Sequence, residues 1–262
     1  MSLELDERRI AMLMEMNLKV WREPAQAEAV AAPLQRTPPV AAPVAQERPA
    51  VQEAAPPPRA QPLALQPLPA GIATMDWAAL EQAVAGCRAC MLCGSRKNTV
   101  FGVGSRRADW LIVGEAPGEN EDLAGEPFVG QAGKLLDNML KAIGLSRQGE
   151  AAQGAYIANV LKCRPPGNRN PLPDEVVQCE PYLRRQVELL QPKIILALGR
   201  FAVQSLLQSN EPIGKLRGRV HEYHGVPVIV SYHPAYLLRS LPEKAKAWAD
   251  LCMALDVMQR QA

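Results

Sequence analysis

The sequence is poor in aromatic residues, in net charge and in long apolar runs. Only 5% of its 262 residues are aromatic, which argues against a surface that stacks many bases, and a net charge of +2 means that any nucleic-acid surface has to be local. No run approaches the roughly 20 apolar residues that cross a membrane, and the N-terminal segment lacks the apolar stretch of a secretory signal. We therefore expect a cytoplasmic protein without a membrane partner, whose cysteines are thiols or metal ligands rather than disulfides.

Proline divides the chain into three parts. Twelve of the 24 prolines lie between Pro24 and Pro69, in a stretch without glycine or aromatic residues, which predicts a disordered Pro/Ala-rich linker over 24–70. Before it, apolar residues at helical steps predict a short amphipathic helix within 1–23, namely Ile10, Leu13, Met14, Leu18 and Trp21. Such a helix either packs on the main domain or docks a partner protein from its tether.

Residues 71–262 alternate between short apolar strands and helices. Strands are predicted at 110–114, 156–161, 193–198 and 226–230, and helices at 77–87, 132–143, 173–190, 200–207 and 244–259. This alternation indicates an α/β fold with three α/β/α layers, in which helices cover both faces of a four-stranded parallel sheet. The ligand site of such a fold lies at the carboxyl ends of its strands.

Three of the predicted strands end in side chains suited to chemistry. Carboxylates including Glu115 and Glu121 crowd the turn after the first strand, and a fixed carboxylate stabilises an oxocarbenium-like centre or positions water. Asn159 ends the second strand and offers one donor and one acceptor, while His233 follows the fourth. Each also has a plain structural explanation: loop chemistry, a backbone cap and a structural histidine. A phosphate loop is excluded because Gln131 stands where that motif requires Lys.

Four of the six cysteines fall in two pairs, Cys87 with Cys90 and Cys163 with Cys179. Two pairs in a reducing compartment suit a four-thiolate site, which holds either zinc or an iron–sulfur cluster. The alternative is a set of buried, unpaired thiols. Cys93 is a substitute ligand or a free thiol, and Cys252 is expected in the core.

Four segments resemble the family 4 uracil-DNA glycosylases, the iron–sulfur type. They are Gly114–Gly118, Pro127–Gly130, Asn159 with Lys162–Pro166, and His233–Arg239, in this order between about Cys87 and the last helix. The resemblance implies a hydrolase of base excision repair that releases uracil from DNA and leaves an abasic site. We predict that it is monofunctional, because the motifs offer no lysine placed to form a Schiff base, Lys162 being the closest candidate. We expect the protein to work at the nucleoid. It also implies one structural [4Fe–4S] cluster on Cys87, Cys90, Cys163 and Cys179.

The resemblance implies a role for each side chain of a uracil pocket. Phe128 stacks on the flipped base, Asn159 hydrogen-bonds its Watson–Crick edge, and His233 donates to uracil O2, where negative charge grows as the bond breaks. Glu115 is the candidate catalytic carboxylate. Backbone groups around Ala116 line the pocket, and Glu121 helps to shape it against the thymine methyl group.

Local DNA contacts are expected around this pocket. The basic candidates are Arg164, Arg169, Lys215, Arg217, Arg219 and Arg239, with a solvated face as the alternative for each. The residues expected to wedge into the space that the flipped base leaves are Tyr236, Leu237 and Leu238.

Two other functions compete with the glycosylase. A non-catalytic metal-binding module that docks a replication or repair protein, or DNA, would keep the cysteines but need neither Glu115 nor His233. A related protein that traps the abasic sugar on a histidine of a basic loop is disfavoured, because 164–174 contains no His. We expect the protein to be a monomer.

Overall fold

A mixed five-stranded sheet forms the centre of the part that the computed structural model describes, residues 64–261. Its strands follow the order β2-β1-β3-β5-β4 and are β1 (Trp110–Gly114), β2 (Ala155–Asn159), β3 (Ile194–Leu198), β4 (Val220–Tyr223) and β5 (Val226–Ser231). The first three and β5 pair in parallel, and β4 pairs antiparallel with β5. Every residue of β1, β2 and β3 is buried, as expected for strands covered on both faces.

Helices cover the sheet on both sides. They are α1 (Trp77–Ala85), α2 (Glu119–Ala124), α3 (Gln131–Ala142), α4 (Pro173–Leu190), α5 (Arg200–Leu207), α6 (Ile213–Leu216), α7 (Pro234–Leu237) and α8 (Glu243–Gln259). Alternate β1 residues face opposite cores: Leu111 packs in the cluster that contains α4 and α5, and Ile112 in the cluster that contains α3 and α8. The predicted three-layer α/β/α architecture is confirmed. None of the helices within 64–261 combines the length and apolar character needed to cross a membrane.

The prediction of four strands missed β4, because this edge strand is short and largely solvent-exposed. Val220 at its start is 50% exposed, so the strand lacks the apolar run that marked the others. A tight hairpin joins it to β5 through His224 and Gly225, which both adopt positive φ angles of 47° and 81°. The four parallel strands lie where the sequence predicts them, within about two residues at either end.

The contacts of this domain begin before residue 71, inside the predicted linker. The backbone N–H of Gln66 donates to Arg88 O at 3.0 Å, and Leu68 packs against the apolar cluster that contains Leu80 and Phe101. Residues 64–69 have no regular secondary structure. The rest of the predicted linker and the helix predicted within 1–23 lie outside the described residues.

Candidate active site

A cavity of about 790 Å³ lies where the parallel strands β1, β2 and β5 end. The structure brings together in it all six side chains predicted for the uracil pocket, and these are Glu115, Ala116, Glu121, Phe128, Asn159 and His233. They come from the loop after β1, from α2, from the loop before α3, from the end of β2 and from the residue that precedes α7. The topology therefore assembles the site at the strand ends, as parallel α/β sheets do.

Phe128 enters the cavity from a strained backbone. Its φ angle is 56°, in the left-handed region that a bulky residue rarely adopts. The ring stacks on the imidazole of His233 with centroids 5.4 Å apart and planes 26° apart. A Cβ at Gly114 would clash with both the Phe128 ring and Asn159 Oδ1. Glycine at the end of β1 therefore allows both side chains to approach the backbone of this strand.

Asn159 carries an unpaired acceptor at the wall of this cavity. The residue is buried at the end of β2, and within residues 64–261 no donor reaches its Oδ1 atom. Buried polar groups are nearly always hydrogen-bonded, so an orphaned amide oxygen that lines a cavity is suited to a donor from a ligand.

His233 is held as a neutral hydrogen-bond donor. Its Nδ1 accepts the backbone N–H of Ala235 at 3.2 Å, so the proton of the neutral ring lies on Nε2. Burial lowers the pKa of His233 to about 4, with Arg239 adding to the shift and Glu121 opposing it. At neutral pH the imidazole is uncharged and has an N–H group available.

Two carboxylates at the site have different environments. Burial raises the pKa of Glu115 from 4.5 to about 7, so this side chain exchanges its proton near neutral pH. Glu121 is fully engaged by the backbone instead. Its Oε1 accepts from the N–H groups of Val129 (3.0 Å) and Gly130 (3.3 Å), and its Oε2 accepts from Gly118 N–H (3.1 Å). Glu121 thus ties the loop after β1 to the loop that carries Phe128.

The four paired cysteines converge on the side of the domain where α4 packs. Burial raises the pKa of Cys163 to about 11, with Arg96 opposing the shift and the nearby thiols of Cys90 and Cys87 adding to it. The pKa of Cys179 rises to about 12, mainly by burial and also through Cys163 and Cys90. Within 64–261 no three Cys, His, Asp or Glu side chains are arranged to hold a single metal ion.

The donor set at these cysteines fits an iron–sulfur cluster. Cys163 and Cys179 are buried in one apolar cluster against which Cys90 packs, and Cys87 packs on the neighbouring cluster that contains Tyr182 of α4. The Arg96 guanidinium donates to Cys163 Sγ at 3.0 Å. Iron–sulfur clusters are held by cysteine thiolates, and hydrogen bonds to the sulfur atoms tune them. Cys93 lies beside this group, since its backbone N–H donates to Cys90 O at 3.3 Å.

Comparison with known proteins identifies the family. A family model described as the Uracil DNA glycosylase superfamily matches residues 101–252. The Type-4 uracil-DNA glycosylase of Archaeoglobus fulgidus is 48% identical over 163 residues, which cover 59% of this chain and 79% of the relative. The Type-4 enzyme of Thermotoga maritima is 41% identical, over 62% of this chain and 82% of the relative. That of Pyrobaculum aerophilum is 40% identical, over 68% of this chain and 93% of the relative. The chain belongs to the Type-4 uracil-DNA glycosylase family.

Only some of the residues predicted to contact DNA line the cavity. Arg169, Tyr236 and Arg239 line it, with Arg169 paired to Glu175 at 2.5 Å. The exposed Arg200, which sequence reasoning missed, also lines the cavity at the start of α5. The other basic candidates lie outside its lining: Arg164 (3.6 Å from Glu119), Lys215 and Arg219 (3.4 Å from Glu211).

Two of the DNA-contact predictions are wrong for this family member. The Arg217 side chain is only 12% exposed and forms an ion pair with the buried Asp250 at 2.8 Å, while its guanidinium lies 4.7 Å from the ring centroid of Tyr232. It braces a wall of the cavity rather than facing solvent. Leu237 is fully buried, whereas the neighbouring Tyr236 and Leu238 are exposed. Of these three side chains, only Tyr236 and Leu238 are exposed enough to insert into DNA.

Lys162, the one lysine within the four motif segments, does not line the cavity. Its ammonium is fully buried and donates to Asn159 O at 2.8 Å and to Gln186 Oε1 at 2.6 Å. Gln186 in turn donates to Phe101 O at 2.9 Å. Lys162 therefore supports the backbone of Asn159 from the side opposite the cavity, a contact that its place in the sequence did not reveal.

Proposed function

We propose that this chain hydrolyses the N-glycosidic bond of uracil in DNA, releasing uracil and leaving an abasic site for base excision repair. The observation that carries the proposal is the buried, unpaired Asn159 Oδ1, which lines the same cavity as the Phe128 ring and a neutral His233. The names of the Type-4 relatives support uracil as the base that is released.

The proposed pocket selects uracil by its hydrogen-bonding edge. A base in duplex DNA has to leave the stack at a cost of a few kcal/mol, and stacking on Phe128 recovers about 1–3 kcal/mol. The Asn159 amide donates to uracil O4 and accepts the uracil N3–H. Cytosine presents its donor and acceptor in the opposite places, so it would leave buried polar groups unpaired and is rejected.

Two side chains act on the bond that breaks. Both electrons of the C1′–N1 bond leave with uracil, and His233 donates its Nε2–H to uracil O2, where the negative charge collects. The Glu115 carboxylate stabilises the electron-poor sugar and accepts a proton from the water that attacks C1′. No lysine of the described chain lines the cavity, which supports hydrolysis rather than a Schiff base. Trapping a covalent adduct with borohydride would overturn this point.

We propose that Cys87, Cys90, Cys163 and Cys179 hold one [4Fe–4S] cluster. These four residues would hold the cluster through their thiolates, and the Arg96 guanidinium already donates a hydrogen bond to Cys163 Sγ at 3.0 Å. When bound, the cluster supplies a structural brace between the segments near Cys87 and those at 163–179, and no redox step. A brown protein with broad visible absorbance supports the cluster, and a colourless protein with bound zinc supports the alternative.

Release of free uracil from an oligonucleotide with a single uracil tests the proposed activity. We expect release by the intact protein and a loss of about 10²–10⁴-fold in Glu115→Gln, the range for removing a positioned acid–base group. An unchanged rate in this variant would move the carboxylate role to Glu121 or remove it. Absence of release by protein that retains its metal centre would favour the non-catalytic metal-binding module.

The remaining proposals concern partners and location. Uracil-containing DNA is the proposed substrate, and we propose that a monomer acts on it in the cytoplasm, at the nucleoid. Docking of a replication or repair protein by the helix predicted within 1–23 stays a prediction, because that segment lies outside the described residues. Size-exclusion chromatography of the full chain with light scattering checks the monomer.

A further inference from the structure

The loop that carries Phe128 is held by one side chain that does not belong to the cavity. Arg147 follows α3 and reaches back across this loop, where its Nη1 donates to Pro127 O at 3.1 Å and its Nη2 donates to Phe128 O at 3.0 Å. Its Nε donates to Asp137 Oδ1 of α3 at 2.8 Å, which fixes the plane of the guanidinium. The side chain is only 15% exposed and does not line the cavity.

The opposite side of the same loop is held by Glu121. Arg147 donates hydrogen bonds to the carbonyl groups of Pro127 and Phe128. Glu121 accepts hydrogen bonds from the next two backbone N–H groups, those of Val129 and Gly130. A cation thus binds the acceptors and an anion binds the donors of one short segment. Between these contacts, Phe128 adopts its left-handed φ angle of 56°, a conformation that persists only where its surroundings impose it.

The loop packs closely against the helix behind it at the Phe128 carbonyl. A Cβ at Gly133 of α3 would run into the carbonyl oxygen of Phe128, so this carbonyl lies directly against the helix backbone. Arg147 is the side chain that gives this carbonyl a charged hydrogen-bond donor. Without the guanidinium, the Phe128 carbonyl loses this donor and the strained φ angle loses one of its two charged supports.

We propose that Arg147 is a positioning residue for the aromatic ring of Phe128, holding it at the angle needed to stack on an extruded base. This inference rests on the proposed function for its consequence, since the base to be stacked is uracil. Arg147 touches neither the base nor the reacting atoms. Its effect on activity therefore passes entirely through Phe128.

The test compares Arg147→Met with Arg185→Met in the full chain. Arg185 is a matched control, because it is 19% exposed, donates to a backbone carbonyl (Met75 O, 2.7 Å) and pairs with a carboxylate (Glu188, 3.0 Å), but lies away from the cavity. The chain has only three Phe, so labelling with 4-fluorophenylalanine gives three ¹⁹F resonances. Phe128→Leu identifies the one that belongs to Phe128.

We expect Arg147→Met to shift or broaden the Phe128 resonance, with no change in Arg185→Met. Uracil release should fall about tenfold in Arg147→Met, within the range for loss of one base stack. In a Phe128→Leu background the same substitution should cost less than about twofold, because the ring that it positions is gone. Arg147→Lys, which keeps the charge but cannot hold both carbonyls, should show a partial effect and replaces Arg147→Met if that variant does not fold.

Two results would overturn the inference. An unchanged Phe128 resonance shows that Arg147 does not position the ring, and this readout needs no activity. Equal losses of uracil release in the presence and absence of Phe128 show that Arg147 acts by another route. Failure of the intact protein to release uracil would count against the proposed function alone, because the ¹⁹F comparison still decides the role of Arg147.

Discussion

Asn159→Ala should separate substrate recognition from folding. In the native protein, Asn159 Oδ1 is buried without a donor among residues 64–261, and a buried unpaired polar group costs about 1–3 kcal/mol. The side chain opens on the cavity, so its removal creates no sealed void. We expect the free energy of unfolding to stay the same or to rise by up to about 3 kcal/mol. For a domain of this size, each kcal/mol raises Tm by about 2–4 °C.

The same substitution should greatly reduce activity. Uracil loses both partners of its Watson–Crick edge, and its O4 and N3–H groups are left unpaired in the pocket. At about 1–3 kcal/mol for each group, the transition state loses roughly 2–6 kcal/mol. This corresponds to a fall in kcat/KM by a factor of about 30 to 20,000.

Thermal unfolding and uracil release, measured on the same preparations, check both halves of this prediction. Asn120→Ala is a suitable control, because Asn120 is an exposed asparagine of α2 that does not line the cavity, and it should change neither quantity. If Asn159→Ala instead destabilises the protein by more than about 1 kcal/mol, an ordinary mutational loss, and keeps its activity within a few-fold, Asn159 is a structural residue and not a recognition residue.

Further predictions concern pH, DNA contacts and the cysteines. Uracil release should rise with pH through about 7 as Glu115 ionises, and Glu115→Gln should abolish this rise. Burial raises the pKa of Glu115 from 4.5 to about 7, so its contribution to stability is present below pH 4.5 and is lost as the pH rises through 7. We therefore expect Glu115→Gln to have a higher urea midpoint than the parent protein at pH 8, but not at pH 4. Arg217→Ala should lower stability by about 3–5 kcal/mol, by leaving Asp250 unpaired, without altering the salt dependence of DNA binding. Arg239→Ala should instead leave Tm unchanged and reduce the salt slope by about one. Cys179→Ser should remove the broad visible absorbance that the cluster predicts.

The elements that the sequence predicted well are those with a strong local signal. The parallel strands are continuous apolar runs, and Gly144, with a φ angle of 78°, follows α3 as a stop signal should. The loops after β1 and β2 were recognisable because their polar residues follow such runs directly. The edge strand β4 was not, because half-exposed residues carry little hydrophobic pattern.

The errors at the site arose from partners that are distant in the sequence. Arg217 was expected at DNA, but Asp250, 33 residues further along the chain, holds it inside the protein. Leu237 is buried although its neighbours Tyr236 and Leu238 are exposed, because α7 turns one side toward the core. The support of Phe128 by Arg147 was also invisible, because no spacing rule joins a loop arginine to carbonyl groups 19 and 20 residues earlier.

Uracil excision by this chain can be measured through the free base that it releases. Full-length protein with its cysteine centre intact is incubated with matched oligonucleotides that carry one uracil, thymine or cytosine at the same position, and the free base and abasic site are quantified. We expect release of uracil with an equal amount of abasic site, and no release of thymine or cytosine. Intact DNA in all three reactions, or release of cytosine at the rate of uracil, would contradict it.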